Sequence, residues 1–438
     1  MAIRMTQVIC NLCLFTLALT ASAQVAPPVI GELPPLKFAS DRPDSNILTA
    51  SIGFSTTYDD NILFNNAAPL SDITYEIKPG LSFQLTRRHL RWSLNANPGI
   101  AIHQRVGQRD LFTNAFGTDI GYELSKRLTA RLRGNYTIKD DPFSSGVFTE
   151  PTPLNVLDQP TNIVITPQQR RASAQAAADV IYDVGERSTV QISGGFYTLQ
   201  FSHPPGMVQQ LLSDSQFTTA RAHYTHRLTP RTSAGAIYQF QDLASFGTAN
   251  SRTLSHSFLF SQATEITPTT AFQVFIGPQY EKTEGILFLP FGVGGTLLLP
   301  IVDSSWSWAG GATFGWQGHR TSLRMTFRHQ VLNGGGLPTA ARSTNASIEL
   351  RRSLFAGWLG SAGVAYGENK LLNFGAQSST RSFIASAGAR RRIGQRMWFD
   401  LRYSHGHQHG EGGLLNRTGD DNRVTALLQY EFKSLLGR

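Results

Sequence analysis

Arg320, Arg324 and Arg328 recur at every fourth position. On a strand such even spacing puts all three on one face, away from Leu323, Met325 and Phe327, because side chains alternate with a period of two. A column of partly desolvated guanidinium groups attracts phosphate, sulfate or carboxylate, and rings of Arg or Lys favour anions in pores. Arg131, Arg133, Arg221 and Arg402 hold the same polar parity in their own segments, with Glu349 and Asp400 among the carboxylates that do so. If that parity lines an interior, these residues are the candidate pore lining. The plainer reading is the stronger of the two: the arginines pair with facing carboxylates and fill a water-wet interior.

Other residues that could do chemistry give weaker signals. His405, His407 and His409 stand at alternate positions with Glu411 close behind. On a strand they would share a face, where a surface zinc or copper site is conceivable, but ordinary solvated histidines are the favoured reading. The glycine runs at Gly292-Val293-Gly294-Gly295 and Gly334-Gly335-Gly336 lack the following helix and Lys-Ser/Thr of a phosphate cradle. No nucleophile elbow or zinc-protease helix occurs, so no enzyme, cofactor or resident metal is expected.

The composition narrows the class further. The 438 residues include 39 Lys and Arg against 30 Asp and Glu, a formal charge of +9, yet only 16% are charged. The arginines are scattered, not clustered in a run, which argues against a nucleic-acid partner. Low charge with 40 glycines fits neither a coiled coil nor an acidic disordered chain.

The start of the chain points to a compartment. Arg4, the apolar run Val8 to Leu19 and Ala21-Ser22-Ala23 form a secretory signal pattern, with cleavage expected before Gln24. Both cysteines, Cys10 and Cys13, lie inside it, so the mature chain would carry no disulfide or thiolate. The expected organisation is a signal peptide over 1–23, a Pro-rich periplasmic lead-in over 24–47, a barrel over 48–433 and a tail over 434–438.

The elements that must position these residues read as strands. Leu48-Ala50-Ile52-Phe54, Leu90-Trp92-Leu94-Ala96, Leu128-Ala130-Leu132 and Met397-Phe399-Leu401-Tyr403 each interleave with polar residues. About 18 such segments of roughly ten residues follow one another, the length a tilted membrane strand needs. Short connections such as Arg87-Arg88, Thr229-Pro230 and Gly394-Gln395 alternate with longer ones at about 58–73, 139–169, 200–213, 282–304, 367–379 and 407–421. Trp306, Trp308, Phe314 and Trp316 share one parity. Ten tilted residues project to about 24–26 Å, close to the apolar band of a membrane barrel with its aromatic girdles. The fold class expected is all-β, a transmembrane antiparallel outer-membrane β-barrel of about 18 strands. An even count returns both chain ends to the periplasmic side.

Two long segments could narrow such a barrel. The uncharged stretch Ile286 to Val302 contains Pro290, Pro300 and the Gly292–Gly295 cluster, so a hairpin extending the wall is preferred over a helix, with an inward plug as the alternative. The proline-rich 139–169 segment is the second candidate constriction or lid.

Tyr58-Asp59-Asp60-Asn61-Ile62-Leu63-Phe64, then Ser71-Asp72 and Ile77-Lys78-Pro79-Gly80-Leu81, resembles the opening of the β-barrel porin 2 family. The likeness is sharpest over about residues 48–103. It implies an outer-membrane barrel, and members are often associated with exopolysaccharide export. Asp59-Asp60-Asn61 itself reads as an ordinary polar turn, with a divalent-cation contact at the lipopolysaccharide level as the lesser alternative.

The function expected is therefore a channel that passes or exports polar, anionic solutes or polysaccharide. Its expected partners are outer-membrane lipid, lipopolysaccharide and the barrel-assembly machinery. A closed barrel working as a surface anchor or adhesin through its long loops is the alternative.

Overall fold

A computed structural model of the chain describes residues 46–105, 111–139, 170–201, 212–246, 249–291, 295–333, 336–337, 339–355, 357–372, 378–411 and 418–435. The expected signal segment, nearly all of the Pro-rich lead-in and the 139–169 loop lie outside the described residues, apart from Lys139.

The alternating segments form antiparallel strands in chain order: β1 (Ile47–Asp59), β2 (Asp72–Thr86), β3 (Leu90–His103), β4 (Leu111–Ser125), β5 (Leu128–Lys139), β6 (Arg171–Asp183), β7 (Ser188–Phe201), β8 (Asp214–Thr229) and β9 (Thr232–Phe246). They continue as β10 (Ala249–Thr267), β11 (Thr270–Phe291), β12 (Gly295–Gln317), β13 (Thr321–Leu332), β14 (Ala341–Ser353), β15 (Trp358–Leu371), β16 (Ser379–Ile393), β17 (Met397–Glu411) and β18 (Thr418–Leu435). Each strand bonds to its neighbours in sequence, and β1 also bonds to β18, in a register running from Ile47↔Leu435 to Asp59↔Arg423. The 18-stranded sheet is thus a closed barrel. Closure satisfies the backbone within the sheet, which is what a wall facing lipid requires.

The period-two pattern decides which side faces out. Ile52, Phe54, Ile77, Ile100, Phe112, Ile192, Phe258, Phe327, Leu401, Leu428 and Phe432 are all exposed on the outer surface. Ser, Thr, Gln, Asn and Arg occupy the opposite parity, many of them buried. This is a soluble protein's arrangement turned inside out, as expected of a wall solvated by hydrocarbon.

One end of the barrel carries the short connections, 87–89, 126–127, 184–187, 230–231, 268–269, 318–320, 354–357 and 394–396. The uncharged stretch forms the expected wall hairpin, with β11 and β12 paired from Thr270↔Trp316 out to Phe291↔Gly295. Parts of the expected long loops are therefore strand, because β11, β12, β17 and β18 run on well past the ten residues a membrane crossing needs.

One stretch of wall is incomplete. β12 pairs with β13 only from Gly310↔His329 to Gln317↔Ser322, so its outer part bonds to β11 alone. Beyond His329 the end of β13 is drawn inward, where the Val331 amide donates to Gln279 Oε1 on β11 at 3.3 Å.

Candidate functional site

The inward-facing residues fall into two zones. Near the short turns, Gln84, Arg91, Asn95 and Ser361 are exposed, and the Lys78 side chain keeps 45% of its surface open beside Glu76. Towards the longer loops, Asp72, Ser215, Gln241, Thr253, Glu281, Asn369, Thr380 and Asp421 are buried although they face the same interior. Open polar positions are thus found near the short turns, although Glu123, Ser233 and Ser322 are buried there, and the inward residues towards the loop end are closely packed.

Gly336, Thr339 and Ala340, between β13 and β14, explain part of that packing. Gly336 accepts a hydrogen bond from the Ser213 amide at 2.8 Å, Thr339 Oγ1 donates to the Leu372 carbonyl at 3.2 Å, and the Leu372 amide donates to the Ala340 carbonyl at 3.0 Å. Ala340 packs with Val331, Leu372, Phe217 and Leu243, against which Tyr197 also leans. β9 to β12 separate β8 from β13 around the wall, so these contacts reach across the interior. Gly336 has φ +108°, and an added Cβ there would come within 2.9 Å of the Phe201 ring. Only glycine tolerates both constraints without strain. Sequence reasoning missed this constriction because the glycine run was weighed only as a phosphate cradle. The signal was present in Leu332 and Leu337, apolar residues flanking a loop between two strands.

Three of the seven arginines singled out from the sequence, Arg131, Arg133 and Arg324, have carboxylates beside them. Arg131 grips Asp119 through Nε at 2.9 Å and Nη2 at 2.5 Å. Arg133 and Asp179 form a buried pair on adjacent strands, to which Gln191 Nε2 also donates at 3.3 Å. Asp400 accepts from Arg390 Nε at 2.9 Å, and Glu349 from Arg351 Nε at 2.6 Å. Arg324 and Arg328 do share the inward face of β13, with Arg324 in register opposite Glu349. Arg320 does not join them: it lies exposed in the 318–320 turn, so the expected three-rung column has two rungs on the wall. Arg221 is buried on the inward face of β8. Arg91 and Arg402 face the open zone, and among the described residues neither enters an ion pair.

The Asp-Asp-Asn motif closes the barrel. Asp59 sits opposite Arg423, whose Nη2 donates to it at 2.5 Å, and Asp59 Oδ1 caps the Asn61 amide at 2.9 Å. Asp60 accepts from the Asn422 amide and from its Nδ2 at 2.8 and 2.7 Å. Asn61 Nδ2 donates to the Asp420 carbonyl at 2.8 Å. Carboxylate oxygens of Asp59, Asp60 and Asp421 lie within 4.8 Å of one another, but Arg423 already supplies the counter-charge between Asp59 and Asp421. The polar-turn reading thus gains a specific role as a clasp between the first and last strands.

The three histidines face outward on β17, and each is tied to β18 through Nδ1: His405 to Asn422 at 2.9 Å, His407 to Asp420 at 2.6 Å and His409 to Thr418 at 2.7 Å. They act as a cross-strand zipper, and each ring is committed to its own partner.

No family profile matches the sequence, and no characterised protein's sequence matches it either. Among solved structures, the outer membrane protein OpdK of Pseudomonas aeruginosa aligns over 88% of this chain and 99% of its own at 10% identity, with a TM-score of 0.44. OccK2 (OpdF) of the same organism, in complex with glucuronate, covers 89% and 100% at 10% identity and a TM-score of 0.45. The ferric-catecholate import receptor Fiu of E. coli covers 89% and 82% at 8% identity and a TM-score of 0.46. Likeness at this level carries no inference about solute or site, and the barrel assignment stands on the strand register described above.

Proposed function

We propose that the chain is an outer-membrane channel for small polar solutes, with a preference for anions, entered through a vestibule on its short-turn, periplasmic side. The observation that supports it is the cluster of open inward polar residues near the turns, Lys78, Gln84, Arg91, Asn95 and Ser361, against the packed interior around Gly336, Thr339 and Ala340. Arg91 and Arg402 bias the open zone towards positive charge, since Asp119, Asp400 and Glu349 are each held by another arginine. The resemblance to the β-barrel porin 2 family agrees with a barrel but adds exopolysaccharide as cargo. A polymer would have to pass the packed contacts of Gly336, Thr339 and Ala340, so small solutes fit the geometry better.

Single-channel recording of the refolded protein in a planar bilayer tests this reading. Small, steady conductance with an anion-selective reversal potential is the expected result. A barrel that inserts but carries no current would favour the alternative, an anchor working through its outer loops.

A further inference from the structure

The short turns carry charge of one sign. Each of them except 268–269 and 354–357 has an exposed Arg or Lys, and Glu186 is the sole carboxylate in their sequences. Among the described residues none of these turn cations enters an ion pair, whereas the paired arginines lie on the strands. An unmatched ring of this kind costs self-repulsion unless something anionic lies against it.

The 354–357 turn indicates what that is. Arg352 and Arg391 flank it on β14 and β16, both exposed and both on the outward parity of Leu350 and Ile393. Arg391 lies directly opposite Trp358 in register, with its guanidinium 5.4 Å from the indole centroid. Phe355, at the tip of the turn, is 79% exposed. Aromatic rings mark the headgroup level of a bilayer, and a long basic side chain there lays its stem on the apolar wall and its charge among the headgroups. A guanidinium on the outward wall cannot reach a solute in the interior.

From this arrangement we propose that the short-turn rim is a binding collar for anionic phospholipid, whose phosphodiester headgroups are gathered by Arg352, Arg391 and the turn cations such as Arg87 and Arg88. The proposal rests on the membrane-channel reading. It adds that the leaflet facing the short turns is recruited by headgroup charge, not only by acyl chain.

The full chain, refolded into phosphatidylcholine vesicles, would be probed with spin-labelled phosphatidylglycerol and, separately, spin-labelled phosphatidylcholine. The expected result is a severalfold higher association of the phosphatidylglycerol label with the protein, falling as salt rises, since each cation near an anionic leaflet favours binding by about fivefold at low salt. Combining Arg87→Gln, Arg88→Gln, Arg352→Gln and Arg391→Gln should cut the preference severalfold, and the same four positions changed to Lys should keep it. Equal association of the two labels with the unmodified protein overturns the proposal without needing any variant to fold. So does a Gln variant that keeps its lipid preference but loses anion selectivity, which would assign the collar to the channel mouth. A protein that immobilises neither label does not span the bilayer, and then the channel reading fails as well.

Discussion

Asp59 and Arg423 face each other across the first and last strands, 364 positions apart, with the guanidinium 2.5 Å from the carboxylate. Both side chains are nearly buried, at 3% and 11% exposure, and removing Asp59 would leave Arg423 with Asp421 as its remaining carboxylate. Breaking a buried pair outright typically costs about 3–5 kcal/mol, and Asp421 holds the cost of this change below that range. Asp59→Asn is therefore expected to lower the denaturant midpoint of the folded barrel and to weaken its resistance to heating in detergent. An unchanged midpoint would mean that the clasp contributes little to closure.

Removing the inward segment should widen the channel. Replacing residues 334–339 with a short Gly-Ser connection deletes the Gly336–Ser213 and Thr339–Leu372 hydrogen bonds while leaving β13 and β14 paired from Thr321↔Arg352 to Leu332↔Ala341. Conductance is expected to rise severalfold with strand content preserved. The same current before and after would place the narrowest point elsewhere.

Selectivity and stability should separate by position. Arg91→Gln combined with Arg402→Gln is predicted to shift the reversal potential towards neutrality with little effect on folding, because both face the open zone without an ion pair. Arg133→Gln should do the opposite, since it strands Asp179 in the interior at a cost of about 3–5 kcal/mol. Should Arg133→Gln fold normally and alter selectivity instead, the vestibule would extend deeper than the burial of this pair implies.

His89, in the 87–89 turn, is buried with neither ring nitrogen hydrogen-bonded. Burial, reinforced by Arg88, pushes its pKa below the ordinary imidazole value. The unfolded chain then binds the proton more readily, so this contribution to stability is whole at high pH and is lost as pH falls through the ordinary value. His89→Gln should flatten the pH dependence of the unfolding midpoint between about pH 7 and 5. A slope unaltered by the substitution would assign acid sensitivity to other groups.

The fold was legible because a membrane barrel writes its wall into the sequence at period two. Leu323, Met325 and Phe327 face out and Arg324 and Arg328 face in, as their alternation requires. The 282–304 hairpin followed from its prolines and glycines. What lay beyond reach was the pairing of residues far apart in sequence. Nothing local to Arg133 names Asp179, because that pair arises only when β5 and β6 take their register, and nothing local to Gly336 names Phe201, which it meets only once the barrel has closed. Arg320 shows the limit of parity itself, since alternation ceases to place a side chain once the strand becomes a turn. The Asp59-Asp60-Asn61 turn was visible as a motif, whereas its partners on β18 depend on the closing register.

The two-zone interior also fixes where an applied voltage would act. In the proposed channel an open stretch in series with a packed one would behave as a small resistor joined to a large one, so most of the potential would drop across the packed part. Arg221 and Arg328, buried in the inner wall, then sit where the field is steep, while Arg91 at the open end sits where it is nearly flat. Equal charges on the same barrel would differ in how strongly they make the current depend on the sign of the voltage.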